Sequence, residues 1–331
     1  ASAAARLVSC GADWIEWITR TLARLPFVAV GLGSVYLRLW LLLAYALLAL
    51  WLLWRGEKKR FWFPVGTGAL CLCAALAFHT ASHRSVALSI SVLDVGQGLC
   101  VAVCSGEENV LVDCGGAGGL DAGDTAADYL QDLGFMRLDR LILTHYHSDH
   151  AGGVPQLMER MEVGELVLPA VTPEEPLRRE IEELALRHGT GIRWVAEDTV
   201  ISLGDARLRV YAPLGAGSAN EEGLSVLCSS GSFDMLITGD MDAVTEKRLV
   251  KYGNLPDIEL LVAGHHGSKY ASSEELLLAT APEYAVISVG YNRYGHPAPE
   301  TLERLAAAGC EIYRTDWMGT VTVTVRGGDG P

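Results

Sequence analysis

Apolar positions fall into distinct textures along the chain. Leu39 to Trp54 (LWLLLAYALLALWLLW) is an uncharged run of 16 residues, and Phe61 to Phe78 (FWFPVGTGALCLCAALAF) is a second of 18. A helix that spans a bilayer needs about 20 apolar residues, with a range of roughly 17–25. The pattern predicts two spans, about 37–54 and 61–79, the first extended through Leu37 and Arg38 with the guanidinium reaching back to the headgroups. Trp40, Trp51, Trp54, Phe61 and Trp62 cluster near the ends of the runs, where amphipathic rings favour the lipid–water boundary. A helical hairpin buried inside a soluble protein is the alternative for the same pattern. Upstream, about 13–30, Trp14, Ile15, Trp17, Ile18, Leu22 and Leu25 follow helical spacing, with Arg20 and Arg24 one turn apart. That spacing predicts a helix lying on a membrane surface, or one packed against further protein.

From Val86 the runs become short, β-branched and broken by Gly and Asp. They predict strands at 87–94, 99–104, 109–113, 140–144, 165–168, 207–212, 224–229, 233–238, 259–263, 284–289 and 319–325, the last alternating strictly as a half-buried strand does. Helical spacing lies between some of them, at 124–133, 174–188, 242–252, 272–279 and 298–308. Many short strands with few helices predict an α/β domain of two sheets with helices outside, not a regularly alternating doubly wound sheet.

Charge sharpens the division. The chain has 331 residues, 50% of them hydrophobic, and a net charge of −14. Residues 1–86 hold nine basic and three acidic side chains; 87–331 hold 17 basic and 37 acidic ones, a balance of −20. The boundary is therefore placed at 86/87, between a membrane segment and an acidic α/β domain. Arg55, Lys58, Lys59 and Arg60 in the loop between the spans predict that loop to be cytoplasmic and the acidic domain to lie outside the cytoplasm. The chain begins at Ala1 without a Met, which predicts a fragment or a processed product. Two spans and a surface helix are too few to line a path for a polyanion, so further spans or oligomerisation are expected. The eight cysteines show no metal-site spacing and read as buried small hydrophobes.

The densest chemistry is Thr144-His145-Tyr146-His147-Ser148-Asp149-His150-Ala151-Gly152-Gly153. Three imidazoles and a carboxylate within six residues follow the apolar run Leu141–Leu143. Imidazole nitrogens suit Zn, Mn or Fe, and a carboxylate adds a hard oxygen.

H-x-H-x-D-H followed by two glycines resembles the signature of the metallo-β-lactamase superfamily. The resemblance implies an αββα metallo-β-lactamase-like sandwich with one or two metal ions. It implies Asp113 as a hydrogen-bonding support, Asp240 in Leu236-Ile237-Thr238-Gly239-Asp240 as a bridging carboxylate, and a late ligand in His265-His266-Gly267-Ser268. His265 is favoured there, with His266 left open. The implied metal set is His145, His147, Asp149, His150, Asp240 and His265. A finer resemblance is to the C-terminal domain of ComEC-type competence proteins, which carry DNA across the membrane. It rests on Leu93-Asp94-Val95-Gly96-Gln97-Gly98, on His265–Ser268, on Ser288 through Pro297, and on Tyr313-Arg314-Thr315-Asp316 with Gly319. Two features depart from the pattern. Leu99-Cys100 stand where an acidic-then-polar pair is usual. The middle His ligand is absent: Asn220, Glu221 and Ser225 occupy that neighbourhood, and His188 is too far upstream. Fewer nitrogens favour one tightly held ion, or Mn²⁺ over Zn²⁺.

On this reading the chain is part of a bacterial DNA-uptake transporter and a metal-dependent nuclease that degrades the non-transported strand. Its partners are DNA, the membrane, an upstream channel domain and other uptake machinery. Asp149 is expected to orient the attacking hydroxide. His296 is expected to contact phosphate or protonate the leaving oxygen, with a structural histidine before a turn proline as the alternative. Ser268 and Asn292 are expected to donate to phosphate, and Asp94, Gln97 and His266 to support the site from behind. A charge of −20 argues against duplex binding, and no stripe of aromatic and basic residues for single-strand stacking stands out. The competing readings are a membrane-tethered hydrolase of another ester or phosphodiester, and a non-catalytic domain that guides DNA.

Overall fold

The computed structural model describes residues 14, 35–53, 62–84, 86–117, 121–170 and 175–326. The chain divides into two compact units, one carrying the N-terminal helices and one carrying the sheets. In the first, a helix runs Val35–Leu53 and a second, Trp62–Arg84, begins. Val35–Leu53 is long and apolar enough to cross a membrane, judged by length and composition, and its side chains are largely exposed. The apolar stretch of the second helix, Trp62–Phe78, is shorter, so the expectation of two full spans is met by one helix of sufficient length among the described residues. Trp40 Nε1 donates to Gly68 O at 2.8 Å; with no Cβ on Gly68, its carbonyl is open to the indole. The surface helix expected at 13–30 lies outside the described residues except for Trp14, which is helical and exposed.

The second unit is a two-sheet α/β sandwich. Its strands are β1 Val86–Val92, β2 Val101–Ser105, β3 Glu108–Val112, β4 Arg137–Ile142, β5 Glu162–Pro169, β6 Gly191–Val195 and β7 Thr199–Leu203. They continue as β8 Ala206–Tyr211, β9 Ser225–Ser230, β10 Phe233–Ile237, β11 Leu260–Val262, β12 Tyr284–Ile287, β13 Glu311–Arg314 and β14 Val321–Arg326. One sheet has the order β14-β1-β2-β3-β4-β5-β6, the other β13-β12-β11-β10-β9-β8-β7.

Alternate residues of each strand meet between the sheets. Leu88, Ile90, Val101, Val103, Val110, Val112, Ile142 and Val167 of one sheet share a core with Ile201, Leu208, Val210, Val226, Met235, Ile237, Val262 and Val286 of the other. The intervening positions Leu227, Leu236, Leu261, Ala285 and Ile287 pack outward on Leu249, Leu276, Leu277 and Leu305 of the helices Ala243–Gly253, Glu274–Thr280 and Pro299–Ala307. Strands covered on both faces read as continuous apolar runs, whereas β14, an edge strand, keeps its strict alternation: Val321, Val323 and Val325 touch the core and the threonines face out. β3 with β4, and β10 with β11 and β12, run parallel, so the loops after them leave from strand C-terminal ends. Those loops carry the site.

Candidate metal centre

Asp113 closes β3, the His145–His150 segment follows β4, Asp240 follows β10, and His265 and His266 follow β11. Backbone bonds lock the loops together: Cys114 N donates to His150 O at 2.7 Å, Leu99 N to Asp149 O at 2.9 Å, and Leu224 N to Thr144 O at 2.8 Å. The approach is close. A Cβ built on Gly115 would stand 2.2 Å from His150 N, so only glycine lets these segments meet.

Asp240 is the hub. Its Oδ1 lies 2.9 Å from His150 Nε2 and 3.9 Å from His266 Nε2; its Oδ2 lies 3.4 Å from His265 Nε2 and 4.0 Å from His145 Nε2. Asp149 Oδ2 is 3.5 Å from His266 Nε2. Ligand atoms of Asp149, His150, Asp240 and His266 all lie within 4.8 Å of one another. The geometry thus brings His266, buried, into the tightest cluster; His265, about one-third exposed, approaches the other oxygen of Asp240. The sequence favours His265 as the ligand and leaves His266 open, as a ligand or a support behind the site, because no spacing rule separates the two neighbours. His147 is exposed, its ring edge-on to His145 with centroids 4.7 Å apart, and it lies outside the cluster.

The hydrogen bonds behind the cluster fix which nitrogens face it. His266 Nδ1 is 3.0 Å from the carbonyl of Ser288, which can only accept, so Nδ1 carries the proton and Nε2 presents a lone pair. Asp113, fully buried, accepts from Thr144 N (2.6 Å), Thr144 Oγ1 (2.6 Å) and His150 Nδ1 (2.7 Å). With its hydroxyl proton given to Asp113, Thr144 Oγ1 accepts from His145 Nδ1 at 3.1 Å. Three Nε2 lone pairs therefore point toward carboxylate oxygens. Nε2 of His145, His150 and His266 and Oδ1 of Asp240 are buried and make no hydrogen bond. Lone pairs set against carboxylates repel unless a cation stands between them, and imidazole with carboxylate is a donor set for a transition metal. The residues fit a divalent ion.

Charge supports the fit. Burial disfavours a charged His150, yet the carboxylates of Asp240 and Asp113 override it and push its pKa well up. A divalent ion neutralises the same carboxylates and takes the place of that Nε2 proton. Burial would raise Asp240, but the neighbouring His150 charge holds it well below the usual carboxylate range. Burial and the neighbouring His150 charge lower His145, and burial lowers His265, keeping both neutral lone-pair donors. Asp113, His265 and His266 all adopt left-handed φ angles of 60°, 51° and 53°, strain that the surrounding bonds hold in place and that turns both late histidines into the site.

The remaining sequence candidates sit at the rim. His296 stacks edge-on to His265 with centroids 5.6 Å apart, and its buried Nδ1 has no partner. Burial, with His265 and His266 close by, lowers its pKa and favours the neutral imidazole. Asn292 uses both ends of its amide on its own loop: Nδ2 donates to Gly290 O and His296 O, and Oδ1 accepts from Tyr294 N and His296 N. Ser268, buried, accepts from Tyr270 N. Gln97 Oε1 accepts from Gly290 N, bracing that loop, and Asp94 Oδ1 accepts from Gly96 N in a turn. Asn292 is therefore engaged in loop structure, while the Ser268 hydroxyl is used there as an acceptor. Asn220 Oδ1 is buried without a partner in the loop expected to carry the missing histidine. Sequence reasoning passed over Thr144 and Ser288; the position of Thr144, directly ahead of the first His, was the available signal for one, and nothing local marks the other.

The segment 93–291 matches the family model of the metallo-β-lactamase superfamily. The chain is 33% identical to competence protein ComA of Neisseria gonorrhoeae over 96% of its length, and 27% identical to ComE operon protein 3 of Bacillus subtilis over 93%. It spans 43% and 42% of those proteins, less than half of each curated relative. The fold also resembles the metallo-β-lactamase fold protein YhfI of Bacillus subtilis, with a TM-score of 0.51 and 13% identity over 72% of this chain and 100% of that one. With this sandwich, this cluster and these relatives, the chain belongs to the metallo-β-lactamase superfamily and is a homologue, over nearly its whole length, of ComEC-type competence proteins.

Proposed function

We propose that this chain is the metal-dependent phosphodiesterase of a bacterial DNA-uptake transporter, cutting incoming DNA and degrading the strand that is not carried in. The observation that carries the reading is Asp240, each of whose oxygens faces two imidazoles, in a chain similar to competence proteins along almost its full length. His150, His266 and Asp149 would hold one ion through the Oδ1 side of Asp240; His145 and His265, with His147 alongside, would hold a second through Oδ2. Asn220, an oxygen donor in place of a histidine, favours Mn²⁺ over Zn²⁺ at that second position. Such ions would supply acidification of a water, from about 15.7 toward 7, and positive charge against that which develops on the phosphate. Asp149 accepts a hydrogen bond from the attacking oxygen and orients it. Neutral His296 donates to a phosphate oxygen. Asp113, Thr144 and Ser288 keep the imidazole protons on the Nδ1 side. The apolar helices would anchor the domain, on the outer face of a bacterial membrane, to an upstream channel domain and other uptake proteins.

The test is an end-labelled DNA assay of the purified chain in detergent, on single and double strands, with Mn²⁺, Zn²⁺ or chelator. Metal-dependent cleavage that disappears in Asp240→Ala is expected. A folded chain that binds metal and cuts neither form would refute the nuclease reading.

A further inference from the structure

Between β12 and the helix Pro299–Ala307 the chain makes a loop, Gly290 to Pro297, that presents two large aromatic side chains to solvent, one of them, Tyr294, beside a histidine at the rim of the metal centre. Tyr291 is 89% exposed and Tyr294 78% exposed, with exposed Arg293 between them. Folded proteins ordinarily turn such rings inward, because each carries a large apolar face. Here they cannot turn in, because the loop has one shape. Asn292 closes it with four hydrogen bonds, and Gln97 Oε1 receives Gly290 N at 3.3 Å. A Cβ on Gly290 would meet the Gly96 carbonyl carbon at 2.4 Å, so the loop is seated on backbone. Ala298 N donates to Gly267 O, tying it to the turn that carries His265 and His266.

The rings point the way to the site. Tyr294 lies 5.8 Å from His296, ring to ring and tilted 33°, and His296 lies 5.6 Å from His265. The charge is as informative as the rings. The domain carries 37 acidic and 17 basic residues, yet Arg293 has no ion-pair partner among the described residues, whereas Arg314, one strand further on, is held by Asp316 at 2.6 Å. A guanidinium without an ion-pair partner, on the same short loop as two exposed rings, complements a ligand that is both anionic and flat-faced.

We propose that Tyr291, Arg293 and Tyr294 form a stacking platform for unpaired bases, which positions a single-stranded nucleic acid at the metal centre and selects it over duplex. The proposal rests on the phosphodiesterase reading for what happens next, but its binding step does not. Bases in a duplex hide their faces in the stack; bases of a single strand offer them to tyrosines, and every base has such a face. A loop already fixed in shape loses little entropy on binding, which raises the return from each ring. The acidic surface elsewhere then repels the phosphates of a duplex, while this loop accepts a strand at one place.

The test is fluorescence anisotropy of the chain in detergent with a labelled thymidine oligonucleotide and with a hairpin duplex of equal length, in chelator. Tyr291→Ala/Tyr294→Ala is expected to weaken single-strand binding about tenfold or more. Tyr291→Phe/Tyr294→Phe, which keeps the rings, is expected to retain it. Arg293→Gln is expected to lower the salt dependence of log affinity by about one contact. Unchanged circular dichroism and melting temperature of the Ala variant confirm that the loop, not the fold, was altered. Unchanged single-strand affinity in the Ala variant overturns the platform, as does wild-type protein that prefers the duplex, or a loss confined to binding of anionic lipid vesicles. Wild-type chain that binds single strands through these rings but cuts none in Mn²⁺ would overturn the nuclease reading and leave the platform standing.

Discussion

Asp113→Asn tests the idea that hydrogen bonds behind the cluster set its chemistry. Asp113 is fully buried and accepts three donors, of which His150 Nδ1 at 2.7 Å is the one aimed at the centre. Asparagine has the same shape and tolerates the φ of 60° at this position, where alanine would add backbone strain to any effect. It replaces one oxygen with an NH₂ group. Facing Thr144 N, a backbone donor that cannot turn, that group would set two donors against each other; facing His150 Nδ1 and Thr144 Oγ1, it needs a change of tautomer at His150 and a turn of the Thr144 hydroxyl. The second arrangement costs less, so His150 shifts its proton to Nε2, where it points at Asp240 Oδ1 and blocks the lone pair. Loss of such a supporting bond lowers metal affinity about 10–100-fold, or about 1.4–2.8 kcal/mol at 1.4 kcal/mol per decade. Calorimetric titration of the chain with Mn²⁺ or Zn²⁺ at neutral pH measures it, and the metal-induced rise in melting temperature should shrink in parallel. An Asn variant that binds metal as tightly as the wild type would refute the claim that Asp113 governs the His150 tautomer.

Gly115→Ala places a Cβ against His150 N, so the two loops must part; the variant should fold its sheets, by circular dichroism, and lose metal binding in the same titration. Leu208→Ala empties a fully buried position between the sheets and should lower stability by about 2–5 kcal/mol in denaturant melts. Glu246 is buried beneath the late-histidine turn, accepting from Ser272 N and Ser273 N at 2.7 Å each. Burial raises its carboxyl from 4.5 to about 7 despite those bonds. Because the folded state holds this proton more tightly than the unfolded one, the group's contribution is fully present below pH 4.5 and is lost as pH rises to about 7, roughly 3 kcal/mol over the interval. Glu246→Gln does not titrate, so its stability relative to wild type should rise between pH 4.5 and 7; a pH-independent difference in paired melts would contradict this.

Much of the fold was legible because its information is local. The strands covered on both faces are apolar runs, β14 alternates over six residues, and the helices over 176–188 and 243–253 show their faces at helical spacing. Three strands escaped notice, β6, β7 and β13, and all three are sheet edges. An edge strand is half exposed and carries polar residues, so its apolar signal is weak even where its ladder is complete. The short helices Ser148–Ala151 and Thr315–Met318 were missed for a related reason, being too brief to show a period.

The sequence by itself determined that this chain has an apolar, basic segment and an acidic two-sheet domain, and that His145, His147, Asp149 and His150 stand together as candidate ligands, since groups within six residues of one another lie close in a turn. Only the tertiary structure decided the rest. Which of two adjacent histidines enters the cluster depends on left-handed backbone at both and on the carbonyl of Ser288, more than twenty positions away. Which nitrogen each imidazole presents depends on Asp113 and Thr144, brought together across parallel strands. And Tyr291 and Tyr294, unremarkable in the chain, stand exposed on a loop that Asn292 closes with four hydrogen bonds. Spacing can report which groups are neighbours along the chain; lone pairs, tautomers and the faces of rings are set by partners that only folding supplies.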